Sequence, residues 1–388
     1  MFQKVYVIEG GRSYTGIENG IYRHMPAEEI GAKTLQQIIK RMDAHGTKLV
    51  PDGVILGNAV GSGGNIARLM ALSAGLSQKI PAVTVDTQCS SGLTAIGMAA
   101  QQIETGMGDV YVAGGFESCS TAPVRSYNKN HPAYKNLTEK NRTYKVAKFA
   151  PGEHSEFAML MGAEKTAVKY KMTDEEINRW VLRSHERAEE AQRSGVLSDI
   201  IFEITKNGSR DEGIRHRMSE RLLNYLSPAV PGGHIITAGN SCLTNDGAAF
   251  LILASESYVK AHDIKPACRI LNICDTAGDP SMSPVMAIKA CERLLQCSGM
   301  AAEDIDIYEC NEAFAVIDVL FERKWPELTD RYNIFGGALA YGHPFGATGG
   351  IISLHAMKAL EHTGGRYGIC SIAAAGGLGT AMLIERCE

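Results

Sequence analysis

Two stretches of the chain repeat the same order of apolar and polar segments. Residues 81–117 read as an apolar strand, a tight turn, a helix rich in small residues and a second apolar strand that closes on a pair of glycines. Residues 333–379 repeat this order, again closing on a pair of glycines. Because both stretches have the layout of a βαβ unit, the pattern predicts a duplicated α/β fold in which mixed sheets enclose helices.

Glycine-rich segments refine this picture. The small-residue helix at 92–104 has no clear polar face, which predicts an interior position. GICSIAAAGGLG (368–379) is followed by TAMLIER (380–386), which is too short for a phosphate-binding helix, so we expect a terminal hairpin instead. GNAVGSGGNIAR (57–68) lacks the G-x-G-x-x-G spacing and predicts a tight turn into a helix.

The segment between the two units, about residues 120–242, has a different character. Residues 125–148 hold seven Lys and Arg residues against one acid and predict a basic loop. Residues 161–195 read as two charged amphipathic helices, and Thr173 with Glu176 forms the pattern of a capping box. This lobe could hold an anionic, phosphate-bearing ligand, although a solvated surface explains the charges equally well.

Composition and charge exclude several classes of protein. With 388 residues and 45% hydrophobic content, the chain can bury a large core. A net charge of −4 argues against nucleic acid as a partner, and no 18-residue apolar run points to a membrane. The ten cysteines form no CxxC pair, which is typical of free thiols in a reducing compartment, so we expect a cytoplasmic protein without a metal site.

Candidate chemistry lies at a few turns. Cys89, in DTQCSSG, stands where a strand gives way to a helix, a position that lowers the pKa of a thiol. His343, in YGHPFGATG, occupies the equivalent turn of the second unit, and Asn311 follows the apolar strand DIDIYEC. Each residue alone could be structural. Together at strand ends they favour a site for nucleophilic catalysis, since a Cys–His pair is the minimum for thiol activation.

At these positions the sequence resembles the thiolases, the acyl-CoA C-acyltransferases. The resemblance covers nearly the whole chain and rests on four motifs in the family's order: DTQCSSGLTAI with VYVAGGFES, TAGNSCLTNDGAA, NEAFA and GHPFGATGG. It implies a layered α/β/α/β/α fold with an inserted loop domain. Residues 1–120, completed by about 243–262, would form the first half, residues 121–242 the loop domain that binds coenzyme A, and residues 263–388 the second half.

The resemblance also implies roles for individual residues. Cys89 would be acylated by the substrate and His343 would activate it. Asn311, acting through a water together with His343, would stabilise the thioester oxygen, and the backbone N–H groups of Cys89 and Ala375 would form a second oxyanion hole. Coenzyme A thioesters would be the substrates, with no bound cofactor, in a homodimer or homotetramer. The implied coenzyme contacts are Met161, Arg215, Ala238, Cys242 and Phe314.

One departure from the family affects the chemistry. The usual ending, C-I-G-G-G-M-G, supplies a cysteine as general acid and base, and here Ala373 occupies its position while Ala375 replaces the first glycine. Cys370 lies three residues earlier, and an odd offset on a strand points it to the opposite face. Cys242, which replaces a serine of the family's motif, is a better candidate.

Other departures are milder: Leu160 replaces a histidine found in many family members, and Ser227 replaces an arginine. They weaken the inference that this chain contacts coenzyme A through the same residues as the family.

Three hypotheses follow. The chain is a thiolase in which another group replaces the base, a related acyltransferase whose acceptor needs no such base, or a non-catalytic acyl-CoA-binding protein that kept the fold.

Overall fold

The computed structural model describes residues 3–152, 155–206 and 208–387, and the side chain of Lys140, part of the expected basic loop, lies outside the described residues. The strands are β1 (Val5–Ser13), β2 (Gly16–Ile17), β3 (Gly53–Gly57), β4 (Ala82–Val85), β5 (Val110–Ser118), β6 (Arg125–Ser126), β7 (Thr143–Tyr144), β8 (Ile201–Phe202), β9 (Asn245–Ser255), β10 (Cys268–Ala277), β11 (Ile307–Cys310), β12 (Tyr367–Ala374) and β13 (Leu378–Arg386).

Short 3₁₀ turns and α-helices connect these strands. The helices are α1 (Ala27–Ala44), α2 (Ile66–Ser73), α3 (Ser91–Glu104), α4 (Ala158–Lys169), α5 (Asp174–Ser194), α6 (Glu220–Asn224), α7 (Glu256–Ala261), α8 (Met286–Ser298), α9 (Val316–Lys324), α10 (Ala338–Tyr341) and α11 (Thr348–Thr363). Within the described ranges, no helix has both the length and the apolar character that crossing a lipid bilayer requires.

Most strands belong to one mixed sheet, whose main path runs β11-β12-β13-β10-β1-β9-β5-β3-β4. Strands β3, β4 and β5 run parallel, as do β11 and β12, while the remaining neighbours on this path are antiparallel. The two halves are joined where β1 pairs with β10, from Val5 opposite Ile270 to Val7 opposite Cys268. The expected mixed α/β fold is therefore confirmed, with the two sheets hydrogen-bonded into one.

Helices form the remaining layers. The central apolar cluster includes α3 and α11, which pack against each other and against strands of both halves. Helices α1 and α2 cover the outer face of the first half, and α8 covers that of the second. The arrangement is thus α/β/α/β/α, and the small-residue helix lies in the interior as its composition predicts.

Glycines allow the two central helices to meet at their amino ends. A Cβ placed on Gly92, in the first turn of α3, would lie 2.5 Å from the carbonyl oxygen of Gly346, which is closer than real contacts allow. The turn before α11 therefore approaches the backbone of α3 directly. This contact brings together the turns that precede the two helices.

The segment between the halves contains the expected helices α4 and α5, and α5 begins with the predicted capping box of Thr173 and Glu176. After α5, Asp211 anchors this segment in the core. Its carboxylate accepts hydrogen bonds from the guanidinium of Arg12 at 2.8 and 3.0 Å and from the Thr15 N–H at 2.7 Å. The chain then returns to the first half, since β9 pairs with β5 and β1.

Candidate active site

Cys89 lies in the turn between β4 and α3, after Gln88, whose positive φ of 56° shapes the turn. Its side chain is 8% exposed. Burial raises the pKa of the thiol to about 12, with a smaller contribution from the nearby carboxylates of Glu117 and Asp86. Hydrogen bonds from the backbone N–H groups of Ala375 and of Cys89 itself act in the opposite direction.

The sequence prediction of a lowered pKa for this thiol was therefore wrong. A helix amino terminus favours a thiolate, but desolvation of the charged form outweighs that effect at this position. In the resting site Cys89 is a neutral thiol at pH 7, so attack on a substrate requires a base to remove its proton.

The predicted terminal hairpin supplies the N–H group that faces Cys89. Strands β12 and β13 pair antiparallel up to Ala374 opposite Leu378. The connecting turn needs left-handed backbone at Gly376 (φ 87°) and Gly377 (φ 74°), which glycine adopts without strain. Gly377 is fixed on both sides, because its N–H donates to Ser283 Oγ at 3.1 Å and its carbonyl accepts from the Gly278 N–H at 2.8 Å.

His343 is almost fully buried in the turn before α11. Its Nδ1 lies 2.6 Å from Thr348 Oγ1, and that hydroxyl donates to the carbonyl of Pro344 at 2.9 Å. Because the hydroxyl hydrogen is used in this way, Oγ1 accepts from Nδ1–H and leaves Nε2 with a lone pair. Burial lowers the pKa of His343 to about 3, so the ring is neutral and Nε2 can accept a proton.

Asn311 completes this part of the site. Its side chain is fully buried, and its Nδ2 lies 3.4 Å from Nε2 of His343. Its backbone N–H donates to the carbonyl of Ser371 at 2.9 Å, which fixes the residue against β12. Its Oδ1 has no hydrogen-bond partner within the described part of the chain, so this buried acceptor is available to a bound donor.

Residues 241–245 connect the Asn311 and His343 turns. Ser241 forms a bridge with Phe314, the Cys242 N–H donates to the carbonyl of Ala313 at 3.0 Å, and Thr244 forms a bridge with His343. The Cys242 side chain is partly buried. Burial raises the pKa of this thiol, and the next largest cause is the proximity of Cys89. The segment thus places a second thiol in the neighbourhood of the first.

The hairpin itself carries no titratable side chain at Ala373. This residue is 2% exposed and pairs with Gly379. Cys370 lies on the other face of β12, as its odd offset predicts, with its Sγ 3.6 Å from the carbonyl oxygen of Ile352 on α11.

The five residues expected to contact a coenzyme fall into two groups. Phe314 is buried and Cys242 partly buried, both next to the Asn311 turn. Met161 on α4, Arg215 and Ala238 are exposed. The Arg215 N–H donates to His185 Nδ1 on α5 at 3.2 Å, which fixes the backbone at this position.

Glu117 was missed by the sequence reasoning, although a carboxylate inside the apolar strand VYVAGGFES was a signal. It is fully buried at the end of β5, and burial raises its pKa to about 7 despite hydrogen bonds from three backbone N–H groups.

Among the described residues there is no group of three or more His, Cys, Asp and Glu residues that could hold a metal ion.

The chain is similar to known proteins over nearly its whole length. Residues 5–257 match the family model of the thiolase N-terminal domain and residues 264–386 that of the thiolase C-terminal domain. Steroid 3-ketoacyl-CoA thiolase FadA6 of Mycobacterium tuberculosis is 35% identical over 390 residues, covering 99% of this chain and 94% of that protein. The 3-oxoadipyl-CoA/3-oxo-5,6-dehydrosuberyl-CoA thiolase of Escherichia coli is 33% identical over 401 residues, covering 99% and 100%.

Solved structures show the same relationship. The acetyl-CoA acetyltransferase of Bacillus anthracis superimposes with a TM-score of 0.88 at 30% identity, covering 99% of both chains. The human mitochondrial 3-ketoacyl-CoA thiolase in complex with CoA superimposes with a TM-score of 0.89 at 29% identity, covering 100% of this chain and 98% of that one.

Proposed function

This chain belongs to the thiolase family and is an acyl-CoA C-acyltransferase, and on that basis we propose that Cys89 carries the acyl group between donor and acceptor as a thioester. The observation that supports this assignment most directly is the position of the thiol. It is buried at the start of α3 and faced by the N–H groups of Ala375 and of Cys89 itself. Two preorganised donors at one thiol are suited to stabilise an acyl oxygen as charge develops on it.

In the first step, Nε2 of His343 takes the proton from Cys89 Sγ. The thiolate attacks the carbonyl carbon of the acyl-CoA thioester, and the N–H groups of Cys89 and Ala375 donate to the resulting oxyanion. The carbon–sulfur bond to coenzyme A then breaks, and the departing thiolate recovers the proton from the imidazolium. A neutral histidine and a neutral thiol at pH 7 are the starting states that this proton transfer requires.

The second step depends on the acceptor. In condensation, an acyl-CoA loses a proton from its α-carbon, the carbanion attacks the acyl-Cys89 carbonyl, and the Cys89 thiolate leaves. Thiolysis runs in reverse: the Cys89 thiolate attacks the 3-keto carbon of a 3-ketoacyl-CoA, the bond between carbons 2 and 3 breaks, and the released enolate takes a proton. A coenzyme A thiol then removes the acyl group from Cys89.

We assign Asn311 and His343 to the thioester oxygen of the second substrate, where an enolate develops. For this step His343 carries its proton on Nε2, the tautomer in which Nδ1 accepts from the Thr348 hydroxyl. Asn311 acts through a water, which can donate to its unpaired Oδ1.

Cys242 is our candidate for the proton transfer that Ala373 cannot perform. It is near enough to Cys89 for the two thiols to affect each other's charge, and it lies between the Asn311 and His343 turns, whereas Cys370 faces α11. The burial that raises its pKa suits a thiol that returns a proton, because a thiolate in this site is a strong base. The alternative is an acceptor that needs no such base, such as a decarboxylating donor or an already acidic carbon.

The segment 121–242 is proposed as the coenzyme-binding domain, between a first half of residues 1–120, completed by 243–262, and a second half of residues 263–388. Met161, Arg215 and Ala238 present exposed atoms to a ligand at its surface. The basic loop contacts the first half, since the Arg125 guanidinium donates to the carbonyl of Gly61 at 3.2 Å.

We further propose a cytoplasmic homodimer or homotetramer. Leu69 and Leu72 on α2 and Val83 on the edge strand β4 are 40–48% exposed in the single chain. An uncovered strand edge beside apolar side chains favours burial against another copy. Light scattering after size-exclusion chromatography should give two or four times the 41.8 kDa of the monomer, and a monomeric mass would contradict the proposal.

Mass spectrometry tests the covalent step. Incubation with acetyl-CoA and with longer acyl-CoAs should leave an acyl group on Cys89, and acetoacetyl-CoA should be cleaved when free coenzyme A is present. An adduct without thiolysis would instead support the acceptor that needs no base. A protein that binds acyl-CoA without forming any adduct would overturn both enzymatic assignments and leave a binding protein.

A pair of variants tests Cys242. If its thiol transfers the proton, Cys242→Ala should lower thiolysis by roughly 10²-fold while acylation of Cys89 by acetyl-CoA stays near the wild-type rate. Cys242→Ser is the matched control for shape, since it keeps a polar side chain of similar size with a far weaker acid. Unchanged thiolysis in Cys242→Ala would remove this thiol from the mechanism.

A further inference from the structure

Glu117 accepts hydrogen bonds from four donors that belong to two distant segments. Its Oε1 accepts from Asn58 Nδ2 at 2.9 Å and from the Val60 N–H at 3.3 Å. Its Oε2 accepts from the Ala59 N–H at 2.9 Å and from the Gly346 N–H at 3.0 Å. Since every partner donates, these hydrogen bonds favour the ionised carboxylate and oppose the burial that raises its pKa to about 7.

Gly346 lies in the turn that carries His343. A Cβ on Gly346 would approach the carbonyl oxygens of Gly57 and Phe116 to 2.7 Å, so the turn is pressed against the ends of β3 and β5. Two residues later, Thr348 binds the His343 ring at Nδ1. The carboxylate of Glu117 therefore holds the middle of a short loop whose two ends are the imidazole and the hydroxyl that orients it.

The same carboxylate is close to the nucleophile. It is among the groups that act on the Cys89 thiol, together with Asp86 in the turn after β4. The titratable groups that interact with Glu117 across this region are Asp86, Cys89 and Cys119. Glu117 thus lies where the turn of the first unit and the turn of the second unit meet.

We infer that Glu117 is a positioning residue, whose carboxylate fixes the His343 turn through the Gly346 N–H so that Nε2 can take the proton of Cys89. The inference rests on the role proposed above for His343 and extends it to a residue that does not touch the reacting atoms. Displacement of a catalytic group by about 1 Å can cost roughly 10²-fold in rate. One lost anchor in the six-residue loop 343–348 is enough for such a displacement.

A double-mutant cycle separates this role from a merely structural one. The readout is the rate at which iodoacetamide alkylates Cys89 at pH 7.5, which requires removal of the thiol proton but no coenzyme A binding. Glu117→Gln keeps the size of the side chain but directs an NH₂ group at N–H donors. In the wild-type background it should slow alkylation by about 10-fold or more. In the His343→Ala background it should cause no further slowing.

Loss of the anion alone would have the opposite sign, since it lowers the pKa of Cys89 and speeds alkylation. Asp318→Asn is the matched control: Asp318 is a buried carboxylate on α9 that accepts from the hydroxyl of Tyr332, outside the site. It should leave the alkylation rate within about twofold of wild type. A thermal melt of each variant confirms that the protein measured is folded.

The outcomes are distinct. If Glu117→Gln slows alkylation equally in both backgrounds, or not at all in the wild-type background, the positioning role is wrong. If His343→Ala itself leaves the rate unchanged, the proposed activation by His343 fails, whatever Glu117 does. Partial recovery of the rate in Glu117→Asp, which restores the carboxylate on a shorter side chain, would further support the inference.

Discussion

The two βαβ units use the same backbone layout for different chemistry. In each, a turn that carries a candidate catalytic residue leads into a buried central helix, α3 after Cys89 and α11 after His343. Each helix leads into a strand of the central sheet. At the end of that strand the first unit carries the carboxylate of Glu117, whereas the second unit carries only alanines, at positions 373–375.

The difference teaches which parts of the site depend on side chains and which on the backbone. The hairpin after β12 keeps its left-handed glycines and the N–H of Ala375, and these need no particular side chain. The groups proposed for acylation are therefore all present. For proton transfer to carbon the hairpin offers no thiol at Ala373, and the residue proposed for this step, Cys242, lies in neither unit.

The largest effect should come from the first unit's nucleophile. Cys89→Ser should abolish the acyl adduct and lower acyl transfer by roughly 10⁴-fold or more, because the hydroxyl is a far weaker nucleophile than the thiolate. Adduct mass and turnover are measured together. Cys297→Ser, at an exposed thiol on α8, is the control and should behave as wild type. If Cys89→Ser is still acylated, at another cysteine, then Cys89 is not the residue that carries the acyl group.

The second unit's backbone donor gives the next largest effect. Ala375→Pro removes the N–H that faces Cys89 and should slow acylation by roughly 10²–10³-fold, the typical loss for one oxyanion-hole donor. Ala375→Gly keeps the N–H and should stay within about threefold of wild type. Pre-steady-state acylation, followed by release of coenzyme A, measures both. Equal loss in the two variants would mean that the turn's shape, not its N–H, is what matters.

Restoring a thiol at the end of β12 should have a smaller effect, in the direction of gain. Ala373→Cys should raise thiolysis or condensation by about 10- to 10²-fold while leaving the rate of Cys89 acylation by acetyl-CoA nearly unchanged, because a general acid and base here acts only on the α-carbon. Ala373→Ser is the matched control for the added volume in this buried position. No gain from the cysteine would indicate that Cys242 already performs the step, or that the acceptor needs no base.

Local features of both units could be predicted from the sequence because local residues determine them. The terminal hairpin follows from two glycines flanked by apolar runs, and the start of α5 from Thr173 and Glu176. The interior position of α3 follows from its small residues. The duplicated layout and the family motifs then indicated Cys89, His343 and Asn311, and the structure places the last two 3.4 Å apart.

What the sequence could not provide depends on distant residues. The pKa of Cys89 is set by burial under segments far along the chain, so the helix-terminus argument had the wrong sign. The partners of Glu117 come from residues 58–60 and 346, and Asp211 pairs with Arg12 across 199 positions. No periodicity or spacing rule reveals such contacts, although a carboxylate in an apolar strand indicates that some exist.

The smallest predicted effect is a difference between the two central helices in how they make the free energy of unfolding depend on pH. Helix α11 buries His355, whose ring packs edge-on against Tyr341, and burial lowers its pKa to about 3, with Arg12 contributing. From Ser91 to Gln102, helix α3 buries no ionisable side chain. Between pH 6.5 and about 3 the unfolded chain binds a proton at this histidine while the folded chain does not, so stability falls as pH falls.

Urea unfolding at pH 7 and pH 5 measures this contribution. Wild type should lose about 2 kcal/mol more than His355→Gln over that interval, since the unfolded histidine takes up its proton near pH 6.5 and the folded one remains neutral down to pH 5. His24→Gln, at an exposed histidine, should follow wild type. Any constant destabilisation by the glutamine cancels, because only the change between the two pH values is compared. If the unfolding free energies of wild type and His355→Gln change equally between pH 7 and pH 5, then His355 does not cause the pH dependence and α11 does not differ from α3 in this respect.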